Sequence, residues 1–146
     1  MVTRFYAIDE ANAALPEVER ILVALRDQRI ELIALRDRVV GLTPDDGETP
    51  TAGTAEQIRL LRLGMQGLID QMQAGVARLV EMDITLRDIS TGLIDFPALV
   101  AGRPIWLCWR LGEADVASWH PHDEGYDSRR PLSELPMGHG SGTPAA

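Results

Sequence analysis

The side chains able to do acid–base, thiol or metal chemistry are concentrated at one end of this chain. All three tryptophans, all three histidines and the only cysteine follow Gly92. Most of them gather in Arg103-Pro-Ile-Trp-Leu-Cys-Trp-Arg-Leu-Gly-Glu-Ala-Asp-Val-Ala-Ser-Trp-His-Pro-His122. Asp95, Arg110, Glu113, Trp119, His120 and Arg129 are the candidate binding residues. Asp95 sits just before Pro97 on a stiff turn, from which its carboxylate can orient His120 or clamp Arg129. One imidazole nitrogen of His120 can then face a groove while a carboxylate fixes the other.

Three chemistries are open to these residues. His120, His122 and Asp123 are a locally dense set of divalent-metal ligand types, with Cys108 and Glu113 as further donors. Paired CxxC, HxxxH and HExxH spacings are all missing, which weighs against a metal. Cys108 as a nucleophile is weaker, because a reactive thiolate needs an electropositive, partly exposed place, and Cys108 lies mid-strand, flanked by Trp106 and Trp109. Arg103, Arg110, Arg129 and Arg130 can hold a small anionic ligand or a partner's carboxylates. They can equally pair with Asp115, Asp123, Glu124 and Asp127 of the same chain. The glycines of Gly138-His-Gly-Ser-Gly142 follow no strand, so they are no phosphate loop.

The elements that must position this segment are helical. Phe5-Tyr-Ala-Ile8 is short and β-prone, a candidate third strand, and Asp9 reads as an N-cap. Pro16 would clash inside a helix, so a short helical turn over 9–14 is expected, with the main helix spanning 16–42. Val18, Leu25, Leu32 and Val39 mark one heptad position; Ile21, Gln28, Leu35 and Leu42 mark the other. After the turn-rich residues 43–50 a second helix is expected over 54–91, closed by Gly92. Folding the two into an antiparallel hairpin lays Leu25 over Gly75 and Leu42 near Ile58.

Both helices carry a second apolar stripe: Val23, Ile30, Ile33 and Val40 on the first, Leu60, Leu63, Ile69, Val76, Val80 and Ile84 on the second. A lone hairpin buries one stripe per helix, and a wide exposed apolar face is a liability. The C-terminal segment is too short to cover ~40 Å of helix at 1.5 Å per residue. A second copy, giving a two-fold four-helix bundle, is the expected cover.

Beyond Gly92, residues 98–104 read as a connection. Residues 105–111 and 114–120 read as two strands joined by a two-residue turn at Gly112-Glu113. In that register Arg110 pairs with Asp115, and Trp106 faces Trp119. Ile105, Leu107, Trp109, Val116 and His120 then form the core face, with Cys108 on the other side. A one-residue change of turn length reverses these faces. Residues 1–134 make one domain, with 95–132 holding the hairpin and a polar loop. Residues 135–146, rich in Pro, Gly, Ser and Ala, are expected to be a disordered tail.

Composition sets the outer limits. The 146 residues suffice for one domain with its own core, and 45% hydrophobic with 25% charged residues is ordinary for a globular protein. A net charge of −8 argues against nucleic-acid binding, which rests on basic side chains neutralising phosphates. No apolar run approaches the ~20 residues of a membrane span, and no signal peptide is visible. With a single cysteine there is no intrachain disulfide, and a cytoplasmic setting is expected.

The string Asp95-Phe-Pro, Gly102-Arg, Leu107-Cys-Trp, Gly112-Glu, Trp119-His and Gly125-Tyr-x-x-Arg129 resembles a bacterial family, the domain of unknown function 2203. Ala7-Ile-Asp-Glu-Ala-Asn-Ala-Ala-Leu-Pro16 is similar to its start, so the resemblance runs to about Leu132. It implies that Asp95, Cys108, Glu113, His120 and Arg129 belong to one motif set, and it implies no activity. Some members carry a DivIVA-like, cell-division label that reflects coiled-coil composition. The expected fold is mainly α with a small β element. The expected function is a nonenzymatic homodimeric binding protein with a polar–aromatic C-terminal site. The alternative is a metal-binding protein or metal-dependent enzyme built on the C-terminal His, Asp, Glu and Cys residues.

Overall fold

In a computed structural model that describes residues 4–136, two long helices are followed by an antiparallel sheet of five strands in sequential order. Helix α1 runs Ile8–Leu42 and α2 runs Ala52–Glu81. They fold back on one another where small residues allow it: the Leu25 side chain lies 3.2 Å from where a Cβ on Gly75 would stand, and Leu35 lies 3.4 Å from the same point on Gly64. Gln28 Nε2 donates to Gln71 Oε1 in the same register. The heptad pattern already implied the Leu25–Gly75 contact.

α1 departs from expectation at its start. It begins eight residues before Pro16 and runs through it without a break. A proline in a helix interior costs about 3 kcal/mol. Ala11, Leu15 and Val18 are all buried on this stretch, and burying a Leu or Val side chain returns about 1.5–3 kcal/mol each. The N-cap is Ala7, not Asp9; Glu10 Oε1 accepts from the Ala7 N–H. Residues 5–8 therefore form no third strand; Tyr6 N–H bonds to the Pro97 carbonyl and its ring packs edge-on against Phe96.

α2 starts as expected, with Thr51 Oγ1 accepting from Thr54 N–H. It then ends ten residues before the expected limit. Asp83 takes the left-handed conformation at φ +60, its N–H bonds to Val80 O, and Ile84 N–H reaches back to Leu79 O. This is a Schellman ending, completed by two buried apolar residues, Leu79 and Ile84. Met82, Leu86 and Ile89 continue the heptad spacing, but the chain carrying them turns into strand β1 (Thr85–Asp88).

Strands β2 (Leu93–Val100) and β3 (Arg103–Arg110) form a hairpin across residues expected to be a connection. Ala101 and Gly102 both have positive φ, +52 and +76, as a two-residue type I′ turn requires. Pro97 is tolerated mid-strand because its carbonyl, and hence its nitrogen, faces the side where β1 has ended and Tyr6 donates instead. Strands β4 (Ser118–Pro121) and β5 (Arg130–Pro131) complete the sheet. The β part is thus larger than a hairpin with one added strand.

One sheet face packs on the near end of the helical hairpin. Ile94, Phe96, Ile105, Leu107, Trp109, Val116 and Trp119 meet Tyr6, Ala11, Leu15, Val18, Leu22, Leu79 and Met82 there. Tyr6 Oη donates to the Met82 carbonyl at 2.6 Å and ties the chain start to the end of α2. The far half of the hairpin is different. Among the described residues, α1 buries nothing between Leu25 and Val39, and α2 buries only Leu68 between Ile58 and Leu79. Ile30, Val40, Leu60 and Leu63 are exposed there, as is Val80 at the sheet end of α2. Among the described residues no helix is long and apolar enough to cross a membrane. Of the expected tail, Leu135 packs against the core, and residues 137–146 lie outside the described residues.

Candidate functional site

The site is built on the sheet face turned away from the helices. β2 pairs with β3 so that Asp95 is opposite Cys108, and β3 pairs with β4 so that Cys108 is opposite Ser118 and Trp106 opposite His120. Paired residues share a face and alternate residues return to it. Asp95, Trp106, Cys108, Ser118 and His120 therefore all stand on the outer face.

This register is shifted by one residue from the expected hairpin, which corrects three assignments. His120 leaves the core face and joins Cys108. Trp119 moves from the groove into the core, with Arg130 over its ring at 5.2 Å. Arg110 and Asp115 are no cross-strand pair, because β4 begins only at Ser118; the Arg110 guanidinium instead stands 6.0 Å from the centre of the Tyr126 ring. The cause is the loop 111–117. Val116 N–H is captured by Asn12 Oδ1 of α1 at 2.8 Å, and Trp109 Nε1 donates to the Glu113 carbonyl at 3.1 Å. The chain is thereby held in a wide loop where a two-residue turn was expected.

Asp95 is the hub. It is 2% exposed, and its Oδ2 accepts from Arg87 Nε at 2.8 Å and lies 3.0 Å from His120 Nε2. Arg87 reaches it as the extra residue of a β-bulge between Leu86 and Asp88, a device that re-aims a side chain. His120 Nδ1 lies 3.0 Å from the Pro121 carbonyl. Both ring nitrogens thus face oxygen atoms, one of a carbonyl and one of a carboxylate. Asp95 Oδ1 is buried without a hydrogen-bond partner. Ligand atoms of Asp95, Cys108 and His120 all lie within 4.8 Å of one another.

Cys108 is fully buried. Burial pushes its thiol up to about 12, and the charge of Asp95 adds to that. It is a thiol at neutral pH and no nucleophile by itself. Arg129, also close to Cys108, is held by three bonds: Nη2 donates to Glu113 Oε2 at 2.8 Å and to Ser118 Oγ at 3.0 Å, and Nη1 donates to Tyr126 Oη at 2.8 Å. Glu113, at the loop tip, is no solvated bystander, since its other oxygen accepts from Arg110 N–H. Asp95, His120 and Arg129 therefore serve one face, with a direct Asp95–His120 bond and Arg129 joined through Ser118.

A cavity of about 310 Å³ opens over this face, lined by Arg87, Leu93, Asp95, His120, His122, Asp123, Glu124, Gly125 and Tyr126. The His122 ring stacks on Trp106 at 4.4 Å, and Arg87 also stands over Trp106, at 5.0 Å. His122 and Asp123, expected to share a metal with His120, line the cavity; the compact donor set is Asp95, Cys108 and His120. Arg87, Ser118 and Tyr126 are site residues that the sequence reading missed, and Glu124 was read only as a partner for the arginines, which it is through Arg130. Only Tyr126 carried a signal, within the Gly125-Tyr-x-x-Arg129 motif.

No curated protein and no solved structure matches the chain. The profile of one family, described as an uncharacterized conserved protein, DUF2203, matches residues 4–132, which take in both helices and every residue of this site. The chain belongs to the domain of unknown function 2203 family.

Proposed function

We propose that this chain is a nonenzymatic, homodimeric binding protein of the cytoplasm whose recognition site is the outer-face cavity. The observation that carries the reading is the cavity's lining: Asp95 is paired with Arg87 and Glu124 with Arg130, which leaves Asp123 as a lining carboxylate with no ion pair among the described residues. That balance favours a small cationic or zwitterionic ligand over the anion expected from the arginine content. The arginines are already engaged: Arg87 with Asp95, Arg129 with Glu113 and Arg130 with Glu124. Binding is favoured over catalysis because Cys108 is a protonated, buried thiol and both nitrogens of His120 are engaged.

Homodimerisation is supported by the far half of the hairpin. Its second stripe is exposed at Ile30, Val40, Leu60 and Leu63, and Leu32, Ile69, Met72, Val76 and Ala77 line an open apolar groove. The occupant is a second copy of the same hairpin. Arginines and acids are interleaved along both helices and not massed as one sign on either, so like-charge repulsion between two copies is limited.

A thermal-shift panel of small amines and amino acids, run in EDTA, tests the binding reading. A ligand at a hundred times its Kd stabilises the folded state by about 2.7 kcal/mol, a rise in Tm of several degrees. The shift is expected to shrink in Asp123→Asn and Glu124→Gln. A panel with no shift, or a shift both variants leave intact, overturns the reading.

A further inference from the structure

The structure assigns a divalent-metal site of the zinc class to Asp95, Cys108 and His120, on the wall of the cavity. The inference goes beyond the preceding reading and depends on it only for what occupies the position left open toward the cavity.

Four observations carry it. First, the three donor atoms lie within 4.8 Å of one another. Donor atoms about 2.0–2.3 Å from one tetrahedral zinc ion stand about 3.3–3.8 Å apart, so the set closes on an ion with side-chain shifts of up to about 1 Å. Second, Asp95 Oδ1 is buried with no N–H or O–H donor against it, and the Cys108 thiol of the same set interacts with this carboxylate, so the buried carboxylate is under-satisfied in the ion-free chain. Third, His120 Nδ1 is held by the Pro121 carbonyl. A carbonyl at Nδ1 is the outer-shell arrangement of metal-binding histidines, and Nε2 is the nitrogen turned toward Asp95. Fourth, Asp95 and His120 line the open cavity, which supplies both an entry path and room for a fourth ligand.

The donor types choose the ion. One thiolate, one imidazole and one carboxylate suit zinc and its neighbours and not magnesium or calcium. Carboxylate and thiolate together also balance the charge of a divalent ion. The Cys108 proton leaves to solvent on binding. Arg87 remains an outer hydrogen-bond donor to Asp95, and as a 41% exposed side chain it can swing toward water.

The test uses the full chain, stripped with a chelator and titrated with Co²⁺ and then Zn²⁺. The expected result is one Co²⁺ per chain with a thiolate-to-cobalt charge-transfer band in the near ultraviolet, which Zn²⁺ removes by displacement. Cys108 is the only cysteine, so the band in the unaltered protein reports this residue without any variant. Zn²⁺ affinity is expected to fall by more than about 100-fold in Cys108→Ser and in His120→Gln, beyond the ~10- to 100-fold typical of an outer-shell change. Binding below one equivalent, or cobalt spectra with no thiolate band, overturns the site. Cobalt binding together with a silent amine panel overturns only the preceding reading, and the reverse outcome overturns only this one.

Discussion

Removing Asp95 in the ion-free protein tests whether the outer-face network is a thermodynamic unit. Asp95→Ala strips an acceptor from His120, whose side chain is 3% exposed, and from Arg87, whose side chain is 41% exposed. The two partners respond differently. Arg87 turns to water, so its lost pair is worth no more than about 1 kcal/mol. His120 cannot do so, and a buried donor left without a partner costs about 1–3 kcal/mol. The expected destabilisation is therefore about 3 kcal/mol, dominated by the histidine. His120→Ala removes the same bond from the other side, so the double variant should be less destabilised than the sum of the singles. Residues sharing one buried hydrogen bond couple by about 0.5–3 kcal/mol; we expect about 1–2 kcal/mol here. The assay is urea unfolding at pH 7 in EDTA and at one protein concentration, followed by tryptophan fluorescence. Additivity to within about 0.5 kcal/mol, with unchanged m-values, would refute the reasoning.

Other outcomes follow from the same geometry. Cys108 should resist alkylation: a thiol held at about 12 against an ordinary 9.0 carries about a thousandth of the thiolate at pH 8; labelling by iodoacetamide within about tenfold of a free thiol's rate would contradict its burial. Gly92→Ala should cost far more than Gly102→Ala. Both residues have positive φ, for which a Cβ costs about 1–2 kcal/mol, but at Gly92 it would also come within 2.5 Å of the Leu111 side chain, and at Gly102 it meets nothing within 4 Å. Overpacking adds about 1–3 kcal/mol, so equal chemical-denaturation midpoints for the two variants would argue against the Gly92–Leu111 contact. In sedimentation the chain should run at twice its 16.0 kDa, and Val40→Glu or Leu60→Glu should weaken association more than a change at exposed, polar Glu31; a monomer at micromolar concentration would remove the dimer.

The parts of the fold legible in the sequence are those set by near neighbours. Heptad spacing fixes the facing of two long helices, and the opposition of Leu25 and Gly75 follows from counting back across one short loop. Alternation along β3 likewise places Ile105, Leu107 and Trp109 inward. Where the reading failed, a stronger contact overrode a correct local preference. Pro16 disfavours a helix, yet the burial of Ala11, Leu15 and Val18 on the sheet holds one together. Residues 82–91 keep a helical period, yet the left-handed Asp83 and the Leu79–Ile84 bonds end α2 before it. Asp83 followed by β-branched Ile84 and Thr85 was the available signal for that ending. The β2 strand was hidden by Pro97, whose missing donor is harmless only because β1 happens to stop beside it.

The decisive error was one residue of register, and its cause lies far from the hairpin in sequence. Trp106 faces His120, where a two-residue turn would have set it against Trp119. Because side chains alternate with period two, that single step exchanges the two faces of β4. It sends Trp119 inward to the helices and brings His120 out beside Asp95 and Cys108. The step is set by the loop 111–117, and the loop is held by Asn12, 104 residues away, whose Oδ1 takes the Val116 N–H. Asn12 lies on the same turn of α1 that Pro16 should have broken. The first turns of α1 and the loop that sets the register of β4 are therefore tied through one bond. The site is encoded as much by the first turns of the chain as by the motif that carries its chemistry.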